Sequence, residues 1–425
     1  MAKTPSKNLL KHLKAADLRG VAQLATQATS GVTRIAEGVH QSVWRTMGVP
    51  GGKELGQTGG ITGLVYQSIQ GVTQLVGKGL DGLLSKLEPL LKSAVDGDVP
   101  TPEREAVLAA LNGVIGDSLV ASGNPLATPM SLRYQGAALD WQALPPMPEA
   151  TGKVVLLIHG LCMNDLQWQS SGATLAGNHG ATLAAELGYT PIYVRYNTGL
   201  HTSQNAHELS RKLEQLLAHW PTPLDELTVI GHSMGGLMMR GALHYARADG
   251  LRWPGVLKQI VFLGTPHHGA PLERAGNWID VILGSTPYSA PFAKLGQLRS
   301  AGITDLRYGH LLDLDWQGHD RFRREPDSRQ RLPLPEGVAC FAVAATLAAK
   351  RSALSDRLIG DGLVPLYSAL GEHDDPTRTL QFAKANRMIA YRTNHMALLS
   401  SPAVTQQIVA WLTPALGRAA AYRSA

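Results

Sequence analysis

The sequence predicts an α/β protein: a mostly parallel sheet with helices on both faces, preceded by an N-terminal helical hairpin region. Three observations carry this. From about residue 150 onward, short β-branched apolar runs alternate with segments of helical periodicity, the pattern of βαβ units. Those runs are continuously apolar, as in KVVLLI at 153–158, which is how strands covered on both faces read. Before 150 no run reads as a convincing strand, and apolar residues recur at helical spacing.

The N-terminal part, 1–148, carries a short repeat: GVAQLA at 20, GVTRIA at 31, GITGLV at 60 and GVTQLV at 71. Within each pair the copies start 11 residues apart, close to three helical turns, so each returns to the same face. The Gly-rich break GVPGGKELGQTGG separates the pairs, which predicts two helices near 16–46 and 60–93. Their Gly, Thr, Ser and Gln content gives mediocre helix propensity, so they need a surface to pack on. That surface is the hairpin itself with the catalytic body, a lipid or polyester surface, or a partner protein. Lys3, Lys7, Lys11 and Lys14 form a basic stripe that suits an anionic surface and equally a solvated face.

The second part, 149–415, is expected to hold strands at 153–158, 191–195, 226–230, 258–263, 338–345 and 387–391, with helices at 203–219 and 235–249 among them. The stretch 270–335 breaks the rhythm with Pro, Gly, Trp and charges and reads as an insertion or cap over the C-terminal edge of the sheet. Residues 416–425 are a tail.

Composition excludes several classes. With 44% hydrophobic and 17% charged residues in a chain of 425, the sequence suits a globular protein with a large core. No apolar run reaches the roughly 20 residues that span a bilayer. The net charge of +6 is modest, and neither basic cluster (the first twenty residues, or RFRREPDSRQR at 321–331) is interleaved as in a nucleic-acid module, so no nucleic acid is expected. Cys162 and Cys340 read as two buried thiols, though spacing leaves a single bridge open. The N-terminus has no secretory pattern, which sets a cytoplasmic expectation, peripheral to a membrane or polymer surface if the hairpin adheres to one.

The chemistry centres on LTVIGHSMGGLMMR at 227–240. Gly231-His232-Ser233-Met234-Gly235 fits G-x-S-x-G, but with 45 glycines in the chain chance alone supplies about 0.3 such matches. Context decides. A strand-like run precedes the motif and an apolar-periodic helix follows it, the strand–turn–helix setting of a nucleophile elbow. Serine is a weak nucleophile and needs a base held by a third group, which follow such an elbow in the order acid, then histidine.

Of 15 histidines, His395 in YRTNHMALLS lies between the last strand and the final helix, and it is preferred to His373, which sits in the acidic turn GEHDD. Asp361, in Gly-Asp-Gly before LVP, is preferred to Asp356 as the acid. The oxyanion formed on attack needs two N–H donors. These are assigned to Met234, after the nucleophile, and to Leu161, in the loop HGLC after the first strong strand; Cys162 is the neighbouring alternative. His159, Gly160 and His267 are expected to line the substrate site. His267 and His268 are adjacent and lack an acidic or thiol cluster at ligand spacing, so no metal is assigned.

Taken together, HGL at 159–161, GHSMGG at 231–236, GTPHHG at 264–269, GDGLVP at 360–365 and Asn394-His395 resemble the α/β-hydrolase superfamily, of the bacterial lipase/esterase type. The resemblance covers 150–415 and implies a Ser233–His395–Asp361 triad, ester hydrolysis through an acyl-enzyme, a substrate with an apolar acyl chain, and no cofactor. Acyl transfer or thioester cleavage on the same triad is the nearest alternative. A surface-binding protein on a hydrolase scaffold is a further one.

Overall fold

The computed structural model describes residues 19–20, 102–144, 146–169, 177–270, 300–319, 327–350 and 360–413. The hairpin helices expected at 16–46 and 60–93 therefore lie outside the described residues, except 19–20, as does the tail. The described residues fall into two compact units. One holds 19–20, 102–104 and Leu119–Ala127, and the other holds Glu105–Ser118 and the described residues from Thr128 on. In the first, Asn124 ties two segments together: its Nδ2 donates to the Gly20 carbonyl at 3.1 Å, and its Oδ1 accepts the Leu126 N–H at 2.9 Å.

In chain order the helices are α1 (Pro102–Ala121), α2 (His179–Leu187), α3 (Thr202–His219), α4 (Met234–Ala248), α5 (Ala301–Tyr308), α6 (Leu366–Ala369) and α7 (Pro402–Leu412). The strands are β1 (Ser131–Tyr134), β2 (Ala137–Ala138), β3 (Lys153–Ile158), β4 (Thr190–Arg195), β5 (Glu226–His232), β6 (Leu257–Leu263), β7 (Ala339–Thr346) and β8 (Arg387–Tyr391). They form one sheet in the order β2-β1-β4-β3-β5-β6-β7-β8, parallel from β4 to β8 and antiparallel at β1.

The six strands expected after 150 are all present, with ends within two residues of the expectation. The absence of strands expected before 150 is corrected by β1 and β2. Their loop is the dipeptide Gln135-Gly136 with φ of 47° and 82°, the two positive values that a tight two-residue hairpin turn needs. Gln-Gly is a weaker signal than Asn-Gly, and a four-residue strand leaves little periodicity to read.

Period-two side-chain alternation divides the core between the two faces. Val154, Leu156 and Ile158 of β3 pack with Leu227, Val229, Phe262 and the α3/α4 side chains Leu209, Leu213, Leu237 and Met238. Val155 and Leu157 face the other way, onto Ile230, Val261, Val343 and the α2/α7 residues Leu183, Val404 and Ile408. The β3 residues from Val154 to Ile158 are fully buried, and each such side chain contributes about 1.5–3 kcal/mol relative to exposure.

This topology decides where a site can form. The chain leaves β3 toward β4 on one side, and β5 lies on the other, so the crevice beyond the carboxyl ends of β3 and β5 is the switch point of the sheet. Ile158 pairs with Gly231, so the loops after both strands emerge side by side. Among the described residues, no helix is long and apolar enough to cross a membrane.

Candidate active site

Ser233 is the single residue between β5 and α4. Its φ of 53° and ψ of −122° are a conformation that a side chain with a Cβ rarely adopts, costing about 1–3 kcal/mol. The turn is held on both sides: the Ser233 N–H donates to the Leu263 carbonyl at 2.8 Å, and the Gly236 N–H donates to the Ser233 carbonyl at 3.1 Å. Strand and helix meet so closely that a Cβ on Gly231 would lie 2.7 Å from the Gly236 Cα. The glycines of the motif are thus a steric requirement of the turn.

His395 and Asp361 come together. His395 Nδ1 and Asp361 Oδ2 are 2.7 Å apart, and both residues are buried. The other carboxylate oxygen accepts N–H bonds from Leu363 at 3.0 Å and Val364 at 2.8 Å, and the His395 N–H donates to the Asp361 carbonyl at 3.1 Å. Nδ1 therefore donates to the carboxylate, leaving Nε2 as the ring nitrogen able to accept a proton. Among the described residues, the Ser233 hydroxyl and His395 Nε2 make no hydrogen bond to each other. Catalytic contacts of this kind commonly shorten only when substrate is bound.

Asp356 lies outside the described residues. His373 packs against His268 with ring centroids 4.8 Å apart and accepts the Asp375 N–H at 2.9 Å.

In the loop after β3 the two candidate donors differ. The Cys162 N–H donates to Thr198 Oγ1 at 3.0 Å, so it is already used. Neither the Leu161 nor the Met234 N–H has an acceptor among the described residues. Gly160 runs against the turn: a Cβ there would lie 2.9 Å from the Ser233 Cβ. Cys162 itself has φ of 59°, and burial pushes its thiol up to about 12, which disfavours the nucleophilic thiolate. Cys162 and Cys340 are both free and buried.

Two residues expected to line the substrate site are buried. The His159 ring is fully buried, stacked on Tyr196 at 4.5 Å, with Nδ1 on the Gly160 carbonyl at 2.9 Å. Burial brings it down to about 4, so it is neutral and shapes the loop from behind. His267 is also buried, between Phe262, Phe382 and Arg240, and lines a cavity that includes none of Ser233, Asp361 and His395. Its neighbour Gly264 is the residue that meets the site. Gly264 has φ of 55°, and a Cβ on it would stand 3.1 Å from the His395 ring and 2.9 Å from Leu398 Cδ1.

Three residues important to the site were not anticipated as such. Thr198 and Tyr196, in the loop after β4, anchor the β3 loop: the Thr198 hydroxyl accepts from Cys162, and the Tyr196 hydroxyl donates to the His159 carbonyl at 2.8 Å. Their position beyond the carboxyl end of a parallel strand was the available signal. His232 donates from Nε2 to the His395 carbonyl at 3.1 Å, with the two rings 4.6 Å apart. Burial, and then the nearby His395, hold His232 well below the usual histidine range, so it acts as a neutral strut. Among the described residues, no group of three or more His, Cys, Asp or Glu side chains is placed to hold a metal ion.

Residues 149–317 match the family PGAP1, described as a PGAP1-like alpha/beta domain. No curated protein sequence matches the chain. Among solved structures, the mature lipase BlEst2 of Bacillus licheniformis is similar at 18% identity and a TM-score of 0.41, covering 67% of this chain and 98% of its own. A lipase-esterase related protein from Clostridium acetobutylicum is similar at 14% identity and a TM-score of 0.34, covering 62% of this chain and 96% of its own. The Pyrococcus furiosus esterase Pf2001 is similar at 12% identity and a TM-score of 0.35, covering 62% of this chain and 81% of its own. The eight-stranded, mostly parallel sheet with helices on both faces is an α/β-hydrolase fold, and residues 149–317 within it match the PGAP1-like alpha/beta domain.

Proposed function

We propose that this protein is a serine carboxylesterase or lipase that hydrolyses carboxylic esters through an acyl-enzyme. Ser233 is the nucleophile, His395 the general base, and Asp361 the carboxylate that orients it. The observation that carries the reading is Ser233 at φ 53°, alone between strand and helix, the sharp turn that a nucleophile elbow requires. The 2.7 Å contact between His395 and Asp361 supports the base assignment.

In this reading His395 Nε2 takes the Ser233 proton as Oγ bonds to the ester carbonyl carbon. The carbonyl oxygen becomes an oxyanion, and the free Leu161 and Met234 N–H groups receive it. Such a donor is worth about 10²–10³ in kcat. Collapse breaks the bond to the alkoxy oxygen, which leaves as the alcohol with the proton from His395. Water then repeats the sequence on the acyl-enzyme, and the carboxylic acid departs. Asp361 stays ionised throughout and stabilises the imidazolium.

The test is hydrolysis of p-nitrophenyl esters from short to long acyl chains by wild type and Ser233→Ala. Wild type is expected to turn over at least part of the series, and the variant to lose about 10⁴-fold or more. A wild type inactive on every ester, or a variant that keeps its rate, overturns the reading.

A further inference from the structure

The polar cavity lined by His267, of about 210 Å³, lies between α4, the segment 329–333 and the segment 377–380. Four arginines line it, Arg240, Arg329, Arg331 and Arg378, together with His267 and His268. No carboxylate does, among the described residues. Three of the arginines are paired outward. Arg329 holds Asp327 through two bonds of 2.8 and 2.7 Å, Arg378 lies 3.6 Å from Asp327 and 3.8 Å from Asp375, and Arg331 lies 3.7 Å from Asp375.

Arg240 is different. It is only 6% exposed and has no carboxylate partner. One guanidinium nitrogen donates to the Leu332 carbonyl and another to His267 Nδ1 at 3.4 Å, while its Nε–H has no partner. Because Nδ1 of His267 accepts, the proton of that neutral ring sits on Nε2, which is likewise buried without a partner. Burial, and then Arg329, bring Arg240 down to about 10, so it stays charged at neutral pH. Burial also brings His268 down to about 4, and it adds no charge. Asp315 attracts Arg240 from behind, but its oxygens already accept the N–H groups of Leu311, Leu312 and Gln330. A buried cation with no carboxylate bonded to it is costly, and an anion in the cavity would pair with it directly.

We propose that this cavity binds a phosphate-class oxyanion, either free phosphate or the phosphoryl group of a small phosphomonoester. Arginines line it from three separate segments, which suits a tetrahedral set of acceptors better than the two coplanar oxygens of a carboxylate. The volume lies below the ~300 Å³ at which pockets for drug-sized ligands begin, so the occupant is small. The site is separate from Ser233 and does not depend on the ester-hydrolase reading.

The experiment is thermal unfolding of the full chain at constant ionic strength against inorganic phosphate, glycerol 3-phosphate, acetate and chloride. Phosphate should raise Tm saturably, because a ligand that binds only the folded state stabilises it by mass action. Acetate and chloride should not. A lower half-saturating concentration for glycerol 3-phosphate assigns the site to phosphomonoesters, and an equal or higher one to free phosphate. Arg240→Gln should weaken the response about tenfold or more. Should that variant not fold, Arg331→Gln, at an exposed side chain, should weaken it about threefold. Ser233→Ala should retain it in full, so failure here and failure of the hydrolase reading are distinguishable. No phosphate-specific shift, an equal shift with acetate, or an unchanged response in every folded arginine variant overturns the proposal.

Discussion

Replacing Thr198 by Val tests whether the loop after β3 is held in place for catalysis or only for stability. The side chain keeps its shape and loses the hydroxyl that accepts the Cys162 N–H at 3.0 Å. Thr198 is fully buried, so the orphaned N–H costs about 1–3 kcal/mol, and global stability should fall by that amount. The same bond holds Cys162 at φ 59°, a strain of about 1–2 kcal/mol. Gly113 allows this conformation by leaving room for the thiol: a Cβ there would lie 2.2 Å from Cys162 Sγ. Without the bond the strain can relax, and the adjacent Leu161 N–H should move off the position proposed for the oxyanion. Full loss of one such donor costs about 10²–10³ in kcat, so partial displacement should cost about 10–100-fold, with KM within about twofold. The assay is steady-state hydrolysis of a short p-nitrophenyl ester alongside urea unfolding. Thr198→Ser should recover both quantities. A Thr198→Val enzyme that loses stability but keeps kcat would refute the positioning role.

Two further outcomes follow from the geometry. Gly264→Ala puts a Cβ 3.1 Å from the His395 ring at a backbone φ of 55°; kcat should fall about 100-fold while the fold survives by circular dichroism, and an unchanged kcat would mean that His395 has room to move. His159 and His179 are both brought down to about 4 by burial, so the unfolded chain binds more protons than the folded one once pH falls below the ordinary value of 6.5. The stability of their neutral forms is complete above pH 6.5 and is lost toward pH 4, about 3 kcal/mol for each histidine. Urea unfolding at pH 7.5 and pH 4.5 should show this loss, reduced in His179→Asn, whereas a flat profile across that window would contradict it.

The parallel strands were legible because burial on both faces leaves an uninterrupted apolar signature, as in Val154–Ile158. β1 was not, because its four residues alternate half-buried and buried at the antiparallel edge and its turn uses Gln135. Ser233, Asp361 and His395 could be nominated from sequence because each stands in a loop beside a readable strand or helix. Thr198 and His232 could not, since their roles exist only through contacts 36 and 163 residues away along the chain. The surroundings of His267 were hidden for the same reason. Its segment is continuous with Gly264, which meets His395, yet the ring turns away toward Arg240.

The central claim, that Ser233 is activated by His395, is tested most directly by covalent trapping. The protein is incubated with a fluorophosphonate at neutral pH, and the adduct is followed by intact mass and peptide mapping. One adduct on Ser233, absent in Ser233→Ala and formed about 10³-fold or more slowly in His395→Ala, is the result expected. An adduct on another residue, or labelling at the wild-type rate in His395→Ala, would contradict it.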